Sequence, residues 1–255
     1  MLTRTVKGLT PRRSVSEGAN DTPITPSTRG LIPFEEHESA LKNADTQVLI
    51  YSSLAIASRM PALCEYVKKS AQLVSLSKHP AWLHVLQSAL GQEPYIIEAT
   101  AEGQTVGYLP LVFLDTILFG KFLVSLPYLN THGVVAANPA VQTALIDRAV
   151  SLADELNVRN LELRHEAAID HEGLNARITS KVHMRLSLPG TVDELWESFC
   201  PKVRNQVRKG KKNSFTIAWG GTELLVPFYE ILTRNMRDLG TPVYGIELFQ
   251  EILAA

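Results

Sequence analysis

Cysteine is almost absent: Cys64 and Cys200 stand alone in 255 residues, with no CxxC pair and no Cys/His spacing of the zinc-finger kind. That excludes a disulfide framework and a structural zinc site, and it points to a reducing compartment. An excess of charge of either sign is absent too. Lys plus Arg number 25 against 26 Asp plus Glu, a net charge of −1, so no global field draws the chain to nucleic acid or anionic lipid and any polyanion site must be local. Long apolar runs are missing. The longest uncharged stretch, 122–146, is broken by Pro127, Asn130, His132, Gly133, Asn138 and Pro139, polar and kinked positions that lipid would leave unsatisfied. The first ~34 residues carry Arg4, Lys7, Arg12, Arg13 and Arg29 against Glu17 and Asp21, without the apolar centre of a secretory signal. A soluble, cytoplasmic protein is expected, with a disordered tail over 1–46; an organellar leader is the other reading of that composition. No G-x-S-x-G elbow and no HExxH occur, so neither a serine-hydrolase nor a zincin site can be assembled.

What is present is an ordinary globular composition, 45% hydrophobic and 20% charged, at a length suited to one large or two modest domains. Val48 to Tyr51 form a short apolar run suited to a strand. Two helical stretches follow, 54–69 with Pro61 interrupting it and 80–90 closed by Gly91. The runs 95–100 and 105–113 flank a four-residue loop, Ala101-Glu-Gly-Gln104, and read as a hairpin, in which Gly107 and Pro110 suggest a bulge or splayed edge. A strand over 118–126 comes next. Asn138 before Pro139 is a helix cap with proline at the first helical position, and Val141, Leu145, Ala149, Leu152 and Leu156 make one buried stripe. Leu161 and Leu163 alternate with polar residues, and so do Val182, Met184, Leu186 and Leu188, giving two further strands with a short helix between them.

The reading is one complete α/β domain over 47–188, then the first part of a second over 189–255. The second opens with a capping box, Thr191 and Glu194, on a helix burying Leu195 and Phe199. A basic run follows, then a strand over 214–219 and a helix with Leu225, Phe228, Leu232, Met236 and Leu239 on one stripe. A last helix begins near Tyr244. One strand cannot bury two faces, so this second domain is expected to be incomplete.

The run Ser125-Leu-Pro-Tyr-Leu-Asn130, then Leu161-Glu-Leu-Arg-His165, then Lys181-Val-His-Met-Arg-Leu, resembles FemAB-like proteins associated with exosortase and PEP-CTERM systems. Thr191-Val-Asp-Glu-Leu-Trp, the basic run 202–212 and Asn235-Met-Arg-Asp-Leu-Gly-Thr-Pro-Val-Tyr244 continue the resemblance, which spans about 47–253. It implies a mixed α/β sheet and tandem GNAT-type acyltransferase domains. It also implies attack by an amine of a cell-envelope or exopolysaccharide-associated acceptor on an activated acyl group, with acyl-CoA or an aminoacyl-tRNA as co-substrate. No bound cofactor and no metal are expected. Two departures stand out. Thr131-His132-Gly133 replaces the Tyr-Gly or Gly-Gly pair common after the first motif, and no Gln/Arg-x-x-Gly-x-Gly pyrophosphate loop occurs.

The candidate substrate contacts are Arg204, Arg208, Lys209, Asn235, Arg237 and Tyr244, with Tyr128 and Asn130 on the loop before the Asn138 helix. Six cations in eleven residues, Lys202 to Lys212, carry no acid among them. A solvated helix face, an anion site built of Arg forks and Lys point charges, and nonspecific RNA binding all fit that run. Asn235, Arg237 and Tyr244 are singled out by the resemblance. His165, Glu166, Asp170, His171 and Glu172 have no metal-ligand spacing and read as a solvated loop. A different functional class, a non-catalytic module holding an anionic glycan precursor or RNA through the basic run, stands as the alternative.

Overall fold

The computed structural model describes residues 2–5, 46–70, 76–180, 184–213 and 215–255, which form two units, Met1–Thr179 and Ser180–Ala255. The division falls at Thr179, before the expected boundary at 188. The reason is local: Met184 to Pro189 run without regular structure, so the strand expected over 182–188 is not seen among its described residues. No helix forms between the strand ending at Leu163 and Thr191 among the described residues, contrary to the short helix expected there.

The first unit is a sheet with helices on both faces. Its elements are β1 (Leu2–Thr5), β2 (Gln47–Ser52), α1 (Ser53–Lys69), α2 (Ala81–Leu90), β3 (Glu93–Ala101), β4 (Gln104–Thr116), β5 (Gly120–Val124), β6 (Val135–Ala136), α3 (Pro139–Glu155), β7 (Asn160–Leu163) and β8 (Ala176–Arg177). The strand order is β2-β3-β4-β5-β7-β1-β8, with β6 beside β4. Every pair is antiparallel except β5 with β7, which α3 joins as a crossover. The order β-α-α-β-β-β-β-α-β over 47–163 is the mixed α/β order expected from sequence with one strand added, the two-residue β6.

Leu2–Thr5 corrects the expectation of a disordered tail: these residues pair with β7 on one side and β8 on the other. The backbone of β7 offers a ladder edge that needs a partner, and composition alone does not report such nonlocal demand. Residues 6–45 lie outside the described residues.

The burial pattern follows the pleat. On one face Ile97, Ala99, Leu109, Leu111, Leu123, Leu161 and Leu163 meet Val141, Leu145, Ala149 and Leu152 of α3. Ile56 and Leu63 of α1 and Leu83 and Leu86 of α2 are also buried, and Tyr66 of α1 donates its hydroxyl to Val106 O at 3.0 Å. Helix α1 runs through Pro61 rather than breaking there. Pro61 and Ala57, whose carbonyl loses its bond, are both exposed, so water can satisfy that carbonyl. The hairpin turn is two residues, Glu102 (φ 52°) and Gly103 (φ 75°), both left-handed as a tight hairpin with matching twist requires. The register shift lies at Ala99/Thr100, facing Gly107 rather than Pro110. A Cβ on Gly107 would come within 2.8 Å of Val141 Cγ1 and 2.9 Å of Val135 O, so glycine lets β6 and α3 close onto β4.

One polar group is driven into the sheet. Glu98 of β3 is fully buried and held by Arg59 of α1 through two bonds, 2.7 and 2.8 Å, while Thr105 donates to it at 2.5 Å. Fully satisfied, the pair pins α1 to β3.

The second unit contains α4 (Val192–Ser198), α5 (Pro201–Lys211), α6 (Leu225–Asp238) and α7 (Ile246–Ala254). The Thr191/Glu194 capping box forms as expected, with bonds of 3.2 and 3.3 Å. The strand expected over 214–219 does not: 215–219 have no ladder, and Phe215, Ile217 and Trp219 are 77, 77 and 94% exposed. Period-2 alternation specifies a sheet face only when a neighbouring strand is there to pair. Among the described residues the unit buries Leu225 and Leu248, and Phe249 of α7 meets Phe228 and Tyr229 of α6 at ring-centroid distances of 5.4 and 5.9 Å.

Candidate functional site

The parallel pair β5 and β7 is in register from Phe122↔Asn160 to Val124↔Glu162 and then parts. The segment after β5 fills the opening, and the β7 continuation ties it down. Ser125 N–H donates to Glu162 O at 2.9 Å, Arg164 N–H to Ser125 Oγ at 2.8 Å, and His132 N–H to Arg164 O at 2.9 Å. The Arg164 guanidinium reaches Leu129 O and Glu162 Oε1, each at 2.7 Å. These bonds hold Leu126 and Tyr128 at φ 45° and 74°, left-handed conformations that cost non-glycine residues of order 1–3 kcal/mol each. The two motifs quoted above, 125–130 and 161–165, are therefore stitched to one another at the carboxyl ends of the parallel strands, a usual address for ligands in open α/β sheets.

A cavity of about 430 Å³ opens there, lined among others by Lys78, Thr131, His132, Arg164, His165 and Glu166. Its chemistry centres on the two histidines. His132 is fully buried, its Nδ1 lies 3.0 Å from Gly133 O, and its ring stands edge-on to Tyr108 at 6.0 Å. His165 Nε2 accepts from Val134 N–H at 3.1 Å. The His165 ring lies so close over Gly133 that a Cβ there would be 2.1 Å from it, so no other residue fits this turn unchanged. Burial pushes both imidazoles down, His132 to about 3 and His165 to about 4, so both are neutral at pH 7. Among the described residues His165 Nδ1 is buried without a hydrogen-bond partner, while His132 also meets the Lys78 backbone. Thr131 donates to Glu166 at 3.2 Å across the same wall.

At the N-terminus of α3, Asn138 Oδ1 takes the Val141 N–H at 2.9 Å. No Gln/Arg-x-x-Gly-x-Gly loop precedes this helix. Among the described residues, no group of three or more His, Cys, Asp or Glu side chains is placed to hold a metal.

The structure divides the eight candidate substrate contacts between the two units. Tyr128 and Asn130 sit on the strained loop, both exposed and outside the lining of the cavity; the Tyr128 hydroxyl accepts from Gln92 Nε2 at 2.5 Å. Arg204, Arg208 and Lys209 lie on α5. Arg208 bonds Asn205 at 3.2 Å and stacks 5.4 Å over the Trp196 ring, which Lys211 also faces at 5.9 Å. Asn235 and Arg237 are exposed on the last turn of α6, where Arg237 reaches Asp238 at 2.9 and 3.1 Å. Tyr244 follows the helix, its carbonyl accepting from the Tyr229 hydroxyl at 2.7 Å. Sequence reasoning placed His165 on a solvated loop and so missed it. Gly133 is the one signal that could have pointed to it, since glycine beside a polar turn marks a close approach.

Fold and site thus define a mixed α/β unit with a polar cavity at the parted ends of its parallel strands. No family model and no curated protein matches the chain. Among solved structures it resembles a ribosomal-protein-alanine N-acetyltransferase from Brucella melitensis biovar Abortus 2308, with 18% identity and a TM-score of 0.36, over 55% of this chain and 99% of that one. No helix among the described residues is long and apolar enough to cross a membrane.

Proposed function

We propose that the chain is a FemAB-type acyltransferase or aminoacyltransferase, moving an activated acyl group to an amine of a cell-envelope precursor or exopolysaccharide-associated acceptor. The observation that carries this reading is the stitching of segments 125–130 and 161–165 around a cavity at the carboxyl ends of β5 and β7. In the reaction the acceptor nitrogen attacks the acyl carbonyl carbon. A C–N bond forms, the C–S bond of a thioester or the C–O bond of an aminoacyl-tRNA ester breaks, and the thiol or ribose hydroxyl leaves with a proton lost by the amine. Holding the two reactants together and donating hydrogen bonds to the developing oxyanion would supply most of the acceleration. Arg204, Arg208 and Lys209 are proposed to meet anionic parts of donor or acceptor. Asn235, Arg237 and Tyr244 are proposed as polar contacts, with Tyr128 and Asn130 as secondary ones.

Calorimetry with acyl-CoA and with aminoacyl-tRNA tests the reading. Saturable heat with one of them is expected, followed by acyl transfer to a panel of amines; silence with both overturns it. A second reading, a binding module for polyanions, is favoured by the basic run 202–212, whose Lys202, Lys209 and Lys212 are exposed. Transfer activity separates the two.

A further inference from the structure

We propose that the turn between β4 and β5 is a membrane-docking tip, whose Ile117, Leu118 and Phe119 enter the interface of a bilayer while Lys121 and Arg159 meet its anionic headgroups. Turns are ordinarily built of Gly, Pro, Asn, Asp and Ser. This three-residue loop holds three large apolar side chains in succession, 105, 85 and 64% exposed. The geometry of the loop does not ask for them, since Gly120 at φ 85° supplies the left-handed residue that closes a hairpin of this length. The core does not ask for them either, because none of the three is part of it. Apolar side chains displayed together in this way mark a contact surface.

The tip is prepared for a medium without water. Thr116 Oγ1 accepts the Phe119 N–H at 3.2 Å and donates to Gly120 O at 3.0 Å, so the turn satisfies backbone groups of its own where it leaves the ladder. Lipid sets that condition on any backbone that enters it. Positive charge lies one step below. Arg159 N–H donates to Lys121 O at 2.8 Å, which makes two exposed cations neighbours at the foot of the hairpin. Lys121 is two residues from Phe119, about 7 Å along a strand, within the ~5–10 Å to which apolar groups sink past the headgroups. Insertion of the tip therefore brings both cations to headgroup level. Asp115, across the ladder from Lys121, is an exposed acid that opposes them.

A protein partner fits less well. Three side chains on a narrow turn offer about 500 Å² at most, short of the roughly 800 Å² that each partner gives to a stable interface. A bilayer needs no complementary surface. The tip precedes β5 and the cavity lies past its carboxyl end, about 17 Å along the strand, so docking leaves the cavity open. Docking does not depend on acyl transfer, and its readout is separate.

The test is sedimentation of the full chain with vesicles of phosphatidylcholine carrying phosphatidylglycerol as the minor component, against phosphatidylcholine alone. Methyl NMR with a nitroxide on the lipid acyl chain locates the contact. Expected are tighter binding to the anionic vesicles and broadening of the Ile117 and Leu118 methyls before all others. Leu118→Ser, at a surface position away from the core, should weaken binding about tenfold. Lys121→Gln and Arg159→Gln should each weaken it about fivefold on anionic vesicles and leave neutral ones unchanged, whereas Asp115→Asn should strengthen it by a similar factor. Binding that survives Leu118→Ser but is lost with Arg204→Ala and Arg208→Ala together would assign the membrane contact to α5 and overturn the proposal. So would the absence of binding to either vesicle, or a dimer in sedimentation equilibrium that Leu118→Ser dissolves, which would make a second copy the occupant of the tip.

Discussion

The two units answer the same question differently. In Met1–Thr179 period-2 segments found partners, both faces of β3 and β4 are covered, and almost every buried apolar residue of the described chain resides there. In Ser180–Ala255 the helices stand on local signals, while Met184, Leu186 and Leu188 are 62–85% exposed and Phe215, Ile217 and Trp219 still more so as a group. A helix closes its hydrogen bonds within itself, so a capping box or an N1 proline suffices to place it; a strand finds the partner of every ladder bond on another segment. The first unit is held by packing and the second by capping. Stability measurements should separate them.

The largest effects are expected in the first unit. Leu145→Ala removes a fully buried side chain from the α3 stripe and should cost about 2–5 kcal/mol in urea unfolding. Arg59→Met strips the buried Glu98 carboxylate of its cation and should cost about 3 kcal/mol. Ile231→Ala on α6, at a residue 71% exposed, should stay within about 0.5 kcal/mol. A loss at Ile231 equal to that at Leu145 would break the comparison, because it would mean the second unit is packed after all.

Acid should act on the first unit through its histidines. Unfolded imidazoles titrate near 6.5, whereas burial holds His132 near 3 and His165 near 4, so between those values the unfolded chain binds more protons. Their contribution is complete above about pH 6.5 and fades as pH falls toward 4, by about 2 kcal/mol per histidine at pH 5. His165→Asn, followed by thermal unfolding between pH 7 and 5, should flatten that slope by about one histidine's share. An unchanged slope would show that His165 is solvated in solution.

Caps sharpen the contrast at a smaller scale. Asn138→Ala and Thr191→Ala each remove one side-chain acceptor from a helix start and should each cost about 1 kcal/mol. The difference lies in who feels it. Hydrogen exchange should show the Asn138 loss spread across β3, β4 and α3, which share a core, and the Thr191 loss confined to α4.

This pattern explains what could be read from sequence. Asn138-Pro139, the α3 stripe, the Glu102-Gly103 turn and the Thr191/Glu194 box are written in neighbouring residues, and each appears where expected. The strands expected over 182–188 and 214–219 rest on alternation alone, which says that a face is apolar and not that a ladder awaits it. Leu2–Thr5 fails in the opposite sense, since its reason for being a strand is the edge of β7. The site divides along the same line. A polar loop holding Tyr128, Asn130 and His132 before a capped helix is visible in the sequence. The burial of His165 is not, because its causes, the Gly133 turn and the Val134 N–H, lie more than thirty residues away.

The smallest expected effect tests how α5 tolerates its own charge. Arg204 and Arg208 are an i,i+4 pair of like charges, which costs about 0.2–0.5 kcal/mol. Half-buried Trp196, from the preceding helix, lies under Arg208 and Lys211, and a cation over a ring near the surface returns about 0.5–1 kcal/mol, enough to offset that repulsion. Trp196→Ala should therefore raise hydrogen exchange in α4 and α5 by a few-fold and leave the first unit untouched. The same variant discriminates packing from binding. If α5 holds polyanions by charge, Trp196→Ala should leave the salt dependence of heparin binding unchanged, while Arg204→Ala with Arg208→Ala should reduce its slope by nearly 2. A slope that falls with the tryptophan and not with the arginines would mean that an aromatic surface, rather than the row of cations, makes the contact.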